Sequence, residues 1–153
     1  MRIIIISILV SGCIFAQGFL HNMDGEVVDG NGEPILLRGF GLGGWLVPEG
    51  YMLHNQAWIE GFESPTDIEN HVIDLIGQDE ANDFWELYRA NYVAQADIDK
   101  IAEWGFNHIR VPFHYKQFYD STGTETPIGY AIVDELITWC QPHNIYIILD
   151  MHC

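Results

Sequence analysis

The chain has 153 residues, 48% hydrophobic and 13% aromatic, with 22 Asp and Glu against 6 Lys and Arg and a formal net charge of −16 at pH 7. A composition this apolar excludes a disordered chain, so the charge lies on the surface of something folded. It also excludes nucleic acid as a partner, because phosphates would be repelled rather than neutralised, and leaves neutral or cationic ligands.

Met1 and Arg2 form a short basic start, Ile3 to Val10 an apolar stretch, and Ser11 to Ala16 a run ending near a cleavage position. This reads as a secretory signal peptide over residues 1–16, too short to span a bilayer, leaving 17–153 as the mature chain. It implies a secreted or periplasmic protein. Val10-Ser11-Gly12-Cys13 also fits a bacterial lipoprotein signal, with a lipid anchor at Cys13 and an outer-surface location, and that alternative stays open. Cys140 and Cys153, the other two cysteines, make no disulfide scaffold and read as buried thiols.

From Gly25 to Leu37, two short β-type runs flank Asp29-Gly30-Asn31-Gly32, a hairpin signal. Asp29, Asn31 and Glu33 alternate as in a calcium loop, but Pro34 stands where that loop needs Gly and Phe40 where it needs an acid. A strand follows over Ile35 to Phe40. Gly39-Phe40-Gly41-Leu42-Gly43-Gly44 matches a dinucleotide-binding pattern. Trp45-Leu46-Val47-Pro48-Glu49-Gly50 cannot supply the helix that pattern requires, so the glycines read as a tight turn and no dinucleotide is expected.

Ser64-Pro65-Thr66-Asp67 predicts a helix start, with Ser64 as N-cap, Pro65 in the first turn and Asp67 reaching back; that helix ends at Gly77. One longer helical pattern covers Asp79 to Trp104, with Ile98, Ile101 and Ala102 on one face and Gly105 closing it. Phe106 to Phe113 predicts a strand. Thr126 to Asn144 predicts a helix with Val133, Leu136, Ile137 and Cys140 facing the core, and Ile145 to Asp150 a strand buried on both faces. The last two strands with their helical crossover form a βαβ unit, so the chain is an α/β protein. A doubly wound sheet and the first units of a (β/α)8 barrel fit this order equally.

Both architectures gather function at the C-terminal ends of strands. After the first strand come Trp45, Glu49 and Tyr51; along and just after the second, Arg110, His114 and Tyr115; after the third, Asp150, His152 and Cys153. Arg110 inside an apolar strand needs a carboxylate or carbonyls to meet, either as a structural ion pair or in a site. Trp45, Tyr51 and Tyr115 offer flat faces for sugar rings, while Glu49, Arg110 and His152 offer hydrogen bonds to hydroxyls. The seven His show no H-x-H or helical H-x-x-x-H spacing, so no metal is expected, and G-x-S-x-G is absent.

Three blocks of sequence, Leu37 to Val47, Gly105 to Pro112 and Ile148 to His152, together resemble the opening of glycoside hydrolase family 5, which holds cellulases and exo-1,3-β-glucanases. The resemblance implies a TIM-type (β/α)8 barrel without cofactor that hydrolyses β-glucosidic bonds of a β-glucan with retention, using two glutamates about 5 to 5.5 Å apart. Neither glutamate is in these blocks. Arg110 resembles the family arginine that orients the nucleophile, and His152 a histidine that contacts the sugar beside the cleaved bond. Glu49 matches an acid that binds a glucose hydroxyl, although Pro48 and Gly50 depart from the exo-glucanase pattern. Trp45 and Tyr115 complete the expected substrate-binding set. A barrel of this kind takes about 250 residues. With its abrupt apolar ending at Cys153, the chain therefore reads as an N-terminal piece, an N-terminal hairpin and three β/α units without the two catalytic glutamates. A carbohydrate-binding remnant without activity is the competing expectation.

Overall fold

The structure, a computed structural model, describes residues 18–53 and 64–152. The expected signal peptide, the Cys13 anchor and Cys153 lie outside the described residues. The chain divides into two compact units at Leu36/Leu37.

In the first unit, β1 (His21–Met23) and β2 (Glu26–Val28) pair antiparallel, with Met23 opposite Glu26. Their tight turn is Asp24-Gly25, both at positive φ (53° and 89°), as a two-residue hairpin demands. The predicted turn at Asp29 to Gly32 also forms. One Asp29 carboxylate oxygen accepts the backbone N–H groups of Asn31 (2.8 Å) and Glu33 (3.0 Å), and Val28 bridges antiparallel to Pro34. These N–H groups hold the Asp29 carboxyl below its usual range. Where the sequence predicts one hairpin, the chain makes two successive reversals.

In the second unit, β3 (Gly39–Gly41), β4 (His108–Phe113) and β5 (Tyr146–Met151) form a parallel sheet in that order. The register sets Gly41 beside Arg110 and Arg110 beside Ile148. Gly39 is obligatory. A Cβ there would stand 1.8 Å from the carbonyl oxygen of His108.

A short helix, α1 (Gly50–Leu53), follows β3. Helix α2 (Pro65–Ile76) begins as predicted: the N–H of Asp67 donates to Ser64 Oγ (3.2 Å) and the N–H of Ser64 to Asp67 Oδ2 (3.0 Å). The single pattern expected from Asp79 to Trp104 is instead two helices, α3 (Gln78–Tyr92) and α4 (Gln95–Glu103). Between them Val93 and Ala94 are extended. Val93 is buried in the core, and Asp97 accepts the Ala94 N–H at 2.8 Å, so the break leaves neither an apolar side chain in water nor that donor unpaired.

Helix α5 (Pro127–Cys140) joins β4 to β5 and runs into a short 3₁₀ turn, Gln141–His143, before Asn144 turns left-handed at φ 55°. Its buried face carries Gly129, Leu136 and Cys140, with Ile132 and Trp139 packed alongside. Ile137, predicted to face inward, is 46% exposed. The core joins Leu46, Val93, Ile98, Ile101, Ile109, Val111, Leu136, Cys140 and Ile145. Ile109 and Val111 therefore point from β4 toward the helices, and Arg110 points to the other face. The expectation that β5 is buried on both faces does not hold in the described residues, where Ile148, Leu149 and Met151 are exposed and β4 is its one paired neighbour.

Candidate active site

The register of β4 and β5 builds the polar cluster. Side chains alternate along a strand, so Ile148, Asp150 and His152 follow one another on the face that Arg110 occupies. Arg110 Nη2 donates to Asp150 Oδ2 and lies 3.2 Å from His152 Nδ1. The carboxylate that a strand-borne arginine requires is therefore Asp150, 40 residues away in sequence. Sequence reasoning placed Asp150 at the strand end and gave it no role. Its signal in sequence is an acid at a strand end; joining it to Arg110 takes the β4–β5 register, which sets Ile148 beside the arginine and Asp150 two residues on, along the same face.

His152 is held by its own N–H, which donates to the Phe113 carbonyl (3.0 Å) and continues the pairing beyond β5. Its Nδ1 stands between the Arg110 donor and Asp150 Oδ2 (3.3 Å), and its Nε2 faces Glu49 Oε1 at 3.8 Å. Glu49 comes from the segment between β3 and α1, where its carbonyl accepts the N–H groups of Met52 (3.0 Å) and Leu53 (3.1 Å). The Tyr51 hydroxyl donates to Glu49 Oε2 (3.3 Å). Loss of water, then the Glu49 carboxylate, raises that hydroxyl above its ordinary value, so it stays a donor. Arg110, Asp150, His152 and Glu49 thus form one connected group, with side chains between 22% and 44% exposed and open to a polar ligand.

The aromatic candidates divide. Tyr115 is 44% exposed at the start of the 3₁₀ turn Tyr115–Gln117, its ring 4.6 Å from that of His114. Trp45 departs from the expected substrate-binding set. At 3% exposure it belongs to the core, and its indole N–H donates to the Arg89 carbonyl (2.8 Å), so it has no open ring face to offer a sugar. A tryptophan after Gly43-Gly44 reads the same in sequence whether its ring turns outward or inward.

His114 is nearly buried, and its Nδ1 accepts the Lys116 backbone N–H (3.1 Å), which puts the proton of the neutral ring on Nε2. Burial first, and the Lys116 ammonium second, hold it below its ordinary value, against the opposing pull of Glu69. After Gly44 the chain continues in pairing, with Leu46 bridging parallel to Phe113, and among the described residues the next helix, α1, begins only at Gly50. Among the described residues no group of three or more His, Cys, Asp or Glu is arranged to hold a metal ion.

A parallel sheet that carries Arg110 and Asp150 within β4 and β5, with His152 just past β5 and Glu49 past β3, defines an α/β protein whose polar cluster lies toward the C-terminal ends of its strands. The chain belongs to the cellulase family, glycosyl hydrolase family 5, whose profile matches residues 63–153. Over 130 residues it is 32% identical to a beta-xylosidase of Phanerodontia chrysosporium, an alignment covering 83% of this chain and 26% of that protein. It is 27% identical over 118 residues to a probable glucan 1,3-beta-glucosidase A of Aspergillus niger, covering 76% of this chain and 28% of the relative. The crystal structure of a rutinosidase from Aspergillus niger superposes with a TM-score of 0.59 at 26% identity, covering 74% of this chain and 32% of that one. The chain therefore spans about a quarter to a third of the length of these relatives.

Proposed function

We propose that this chain supplies the first three β/α units of a (β/α)8-barrel glycosidase that cleaves β-glucosidic bonds of a β-glucan with retention of configuration. The observation that carries the reading is the Arg110–Asp150–His152–Glu49 cluster on one sheet face at the strand ends, in a chain of this family. Such a barrel places its catalytic residues at the ends of several strands, and the strands after β5 are to bring the acid/base and nucleophilic glutamates. Arg110 orients the nucleophile and keeps it ionised, because a guanidinium beside a carboxylate favours the charged form. His152 and Glu49 bind hydroxyls of the sugar beside the cleaved bond, with Tyr115 available as an exposed ring at the rim.

Retention follows in two displacements. The nucleophile attacks the anomeric carbon while the acid protonates the leaving oxygen, and water activated by the same residue, now a base, then releases the sugar. The edge of β5 away from β4, unpaired among the described residues, supports a further strand beside it, as closure of a barrel requires, and the exposed Leu149 and Met151 on the helix-facing side support a further helix packed over it. Export through residues 1–16 belongs to the same proposal, and N-terminal sequencing of the exported product tests it by beginning at Gln17.

The deciding experiment incubates the full-length gene product with an aryl β-glucoside, an aryl β-xyloside, laminarin and cello-oligosaccharides, and follows the first-formed anomer by proton NMR. Release of β-configured glucose is the expected result. An α-anomer formed first refutes retention. Glucan binding without release of any sugar favours the non-catalytic binding protein instead.

A further inference from the structure

The end of α3 closes on the turn after β3 at three points. The Tyr88 hydroxyl donates to the Gly44 carbonyl (2.7 Å), the Tyr92 hydroxyl donates to the Gly43 carbonyl (3.2 Å), and the Trp45 indole N–H donates to the Arg89 carbonyl (2.8 Å). Tyr88 and Tyr92 are one helical turn apart, with ring centroids 4.9 Å apart, so the two phenols act from one side of the helix. Arg89 lies in the last turn of α3, where carbonyls lack partners further along the helix, and Trp45 supplies one.

The turn is fitted to these phenols. Gly44 sits at φ +80°, and a Cβ there would stand 2.6 Å from Tyr92 Oη. On its other side the strand is held by β4, where Leu46 bridges to Phe113 and its carbonyl accepts the His114 N–H at 3.1 Å. Gly43 to Leu46 is thus fixed from both sides. Glu49 follows three residues later, past the buried Val47 and the φ-restricted Pro48, and faces His152.

We propose that Tyr88 and Tyr92 are positioning residues: they set the path of the segment that carries Glu49, and so the recognition of the sugar hydroxyl that Glu49 binds. This rests on the reading of Glu49 given above. Both hydroxyls donate to the Gly43–Gly44 backbone rather than to Glu49, so the effect passes through the backbone of residues 43–49. Burial, then the neighbouring Tyr92, raises the Tyr88 hydroxyl far above its ordinary value, and it remains a donor throughout the working pH range.

The test is a double-mutant cycle in the full-length gene product. The pair Tyr88→Phe/Tyr92→Phe keeps both rings and removes both hydroxyls. It is measured on an aryl β-glucoside in the native background and in a Glu49→Gln background, with a thermal melt of every variant. Loss of two neutral hydrogen bonds is expected to lower kcat/KM about tenfold in the native background. In the Glu49→Gln background the same pair is expected to lower it by less than about twofold, because residues acting through one group are not additive. A merely structural role would shift the melts equally and lower kcat/KM by the same factor in both backgrounds, and that result overturns the proposal while leaving Glu49 as a sugar ligand. If Glu49→Gln alone changes nothing, or the native protein turns over no glycoside, the reading of Glu49 fails and this proposal with it.

Discussion

Asp150→Asn is the most informative single change, because it keeps the volume and removes the charge that Arg110 meets. The two side chains are 44% and 32% exposed, so solvent screens the pair and its contribution to stability is about 1 kcal/mol or less. Orientation is a separate quantity. A hydrogen bond to a charged acceptor exceeds a neutral one by about 1 to 2 kcal/mol, and if Arg110 must be aimed for the reaction that difference appears in the rate. At about 1.4 kcal/mol per factor of ten, kcat/KM should fall about tenfold. Steady-state kinetics on an aryl β-glucoside and urea unfolding of the full-length protein read the two effects separately. Asp99→Asn is the control: it removes the exposed partner of His143, at 2.8 Å, on the helical side of the unit and should leave the kinetics unchanged. Unchanged kcat/KM in Asp150→Asn would make Asp150 a spectator. A loss of stability above about 3 kcal/mol would refute the exposure argument instead.

Three further outcomes are expected. Leu136→Ala, at a fully buried position of α5, should lower the unfolding free energy by about 2 to 5 kcal/mol, whereas Ile137→Ala beside it should lower it by about 1 kcal/mol or less; equal losses in urea titrations would contradict the inward face described for α5. Burial pushes the Cys140 thiol up to about 12, so at pH 8 an aromatic disulfide reagent should label the native protein to the same extent with and without Cys140→Ser, and extra labelling of the wild type should appear only on unfolding. His114 is held below its ordinary value in the fold, so the unfolded chain takes up its proton first as pH falls. Stability should therefore be full above about pH 6.5 and decline below it until the folded ring protonates, and His114→Asn should flatten that acid-side slope in melts taken with Lys116 and Glu69 unchanged.

What could be read in sequence was what is decided locally. The capping box of Ser64 and Asp67 closes within four residues, and the apolar runs of β4 and β5 declare themselves by β-branched content. The break at Val93–Ala94 was not legible, since neither Gly nor Pro marks it; it exists because Val93 finds the core and Asp97 finds the Ala94 N–H. The depth of Trp45 was hidden for a similar reason, its indole partner being the carbonyl of Arg89, 44 residues on. The strand-end positions of Glu49, Arg110 and His152 followed from the order of elements alone. Their mutual contacts depended on the β4–β5 register, a fact of pairing rather than of either strand, and so did the place of Asp150.

The pairing of Arg110 with Asp150 also bears on how a nucleophile could use the same guanidinium. Both contacts seen here, to Asp150 and to His152, are made through Nη2. A guanidinium carries five N–H donors in a rigid fork, so Nη1 and Nε remain available to a second carboxylate approaching from another strand. On the proposed reading, Asp150 then does not compete with the nucleophile. It fixes one prong of the fork, which fixes the plane of the whole group and hence the direction of the other prongs. A lysine at position 110 would offer a point charge without that plane. Arg110→Lys is therefore expected to keep the ion pair with Asp150 and still lose more of kcat/KM than Asp150→Asn does. If the lysine variant retained near-native kcat/KM in the same assay, charge rather than the fixed plane of the guanidinium would be what the site requires.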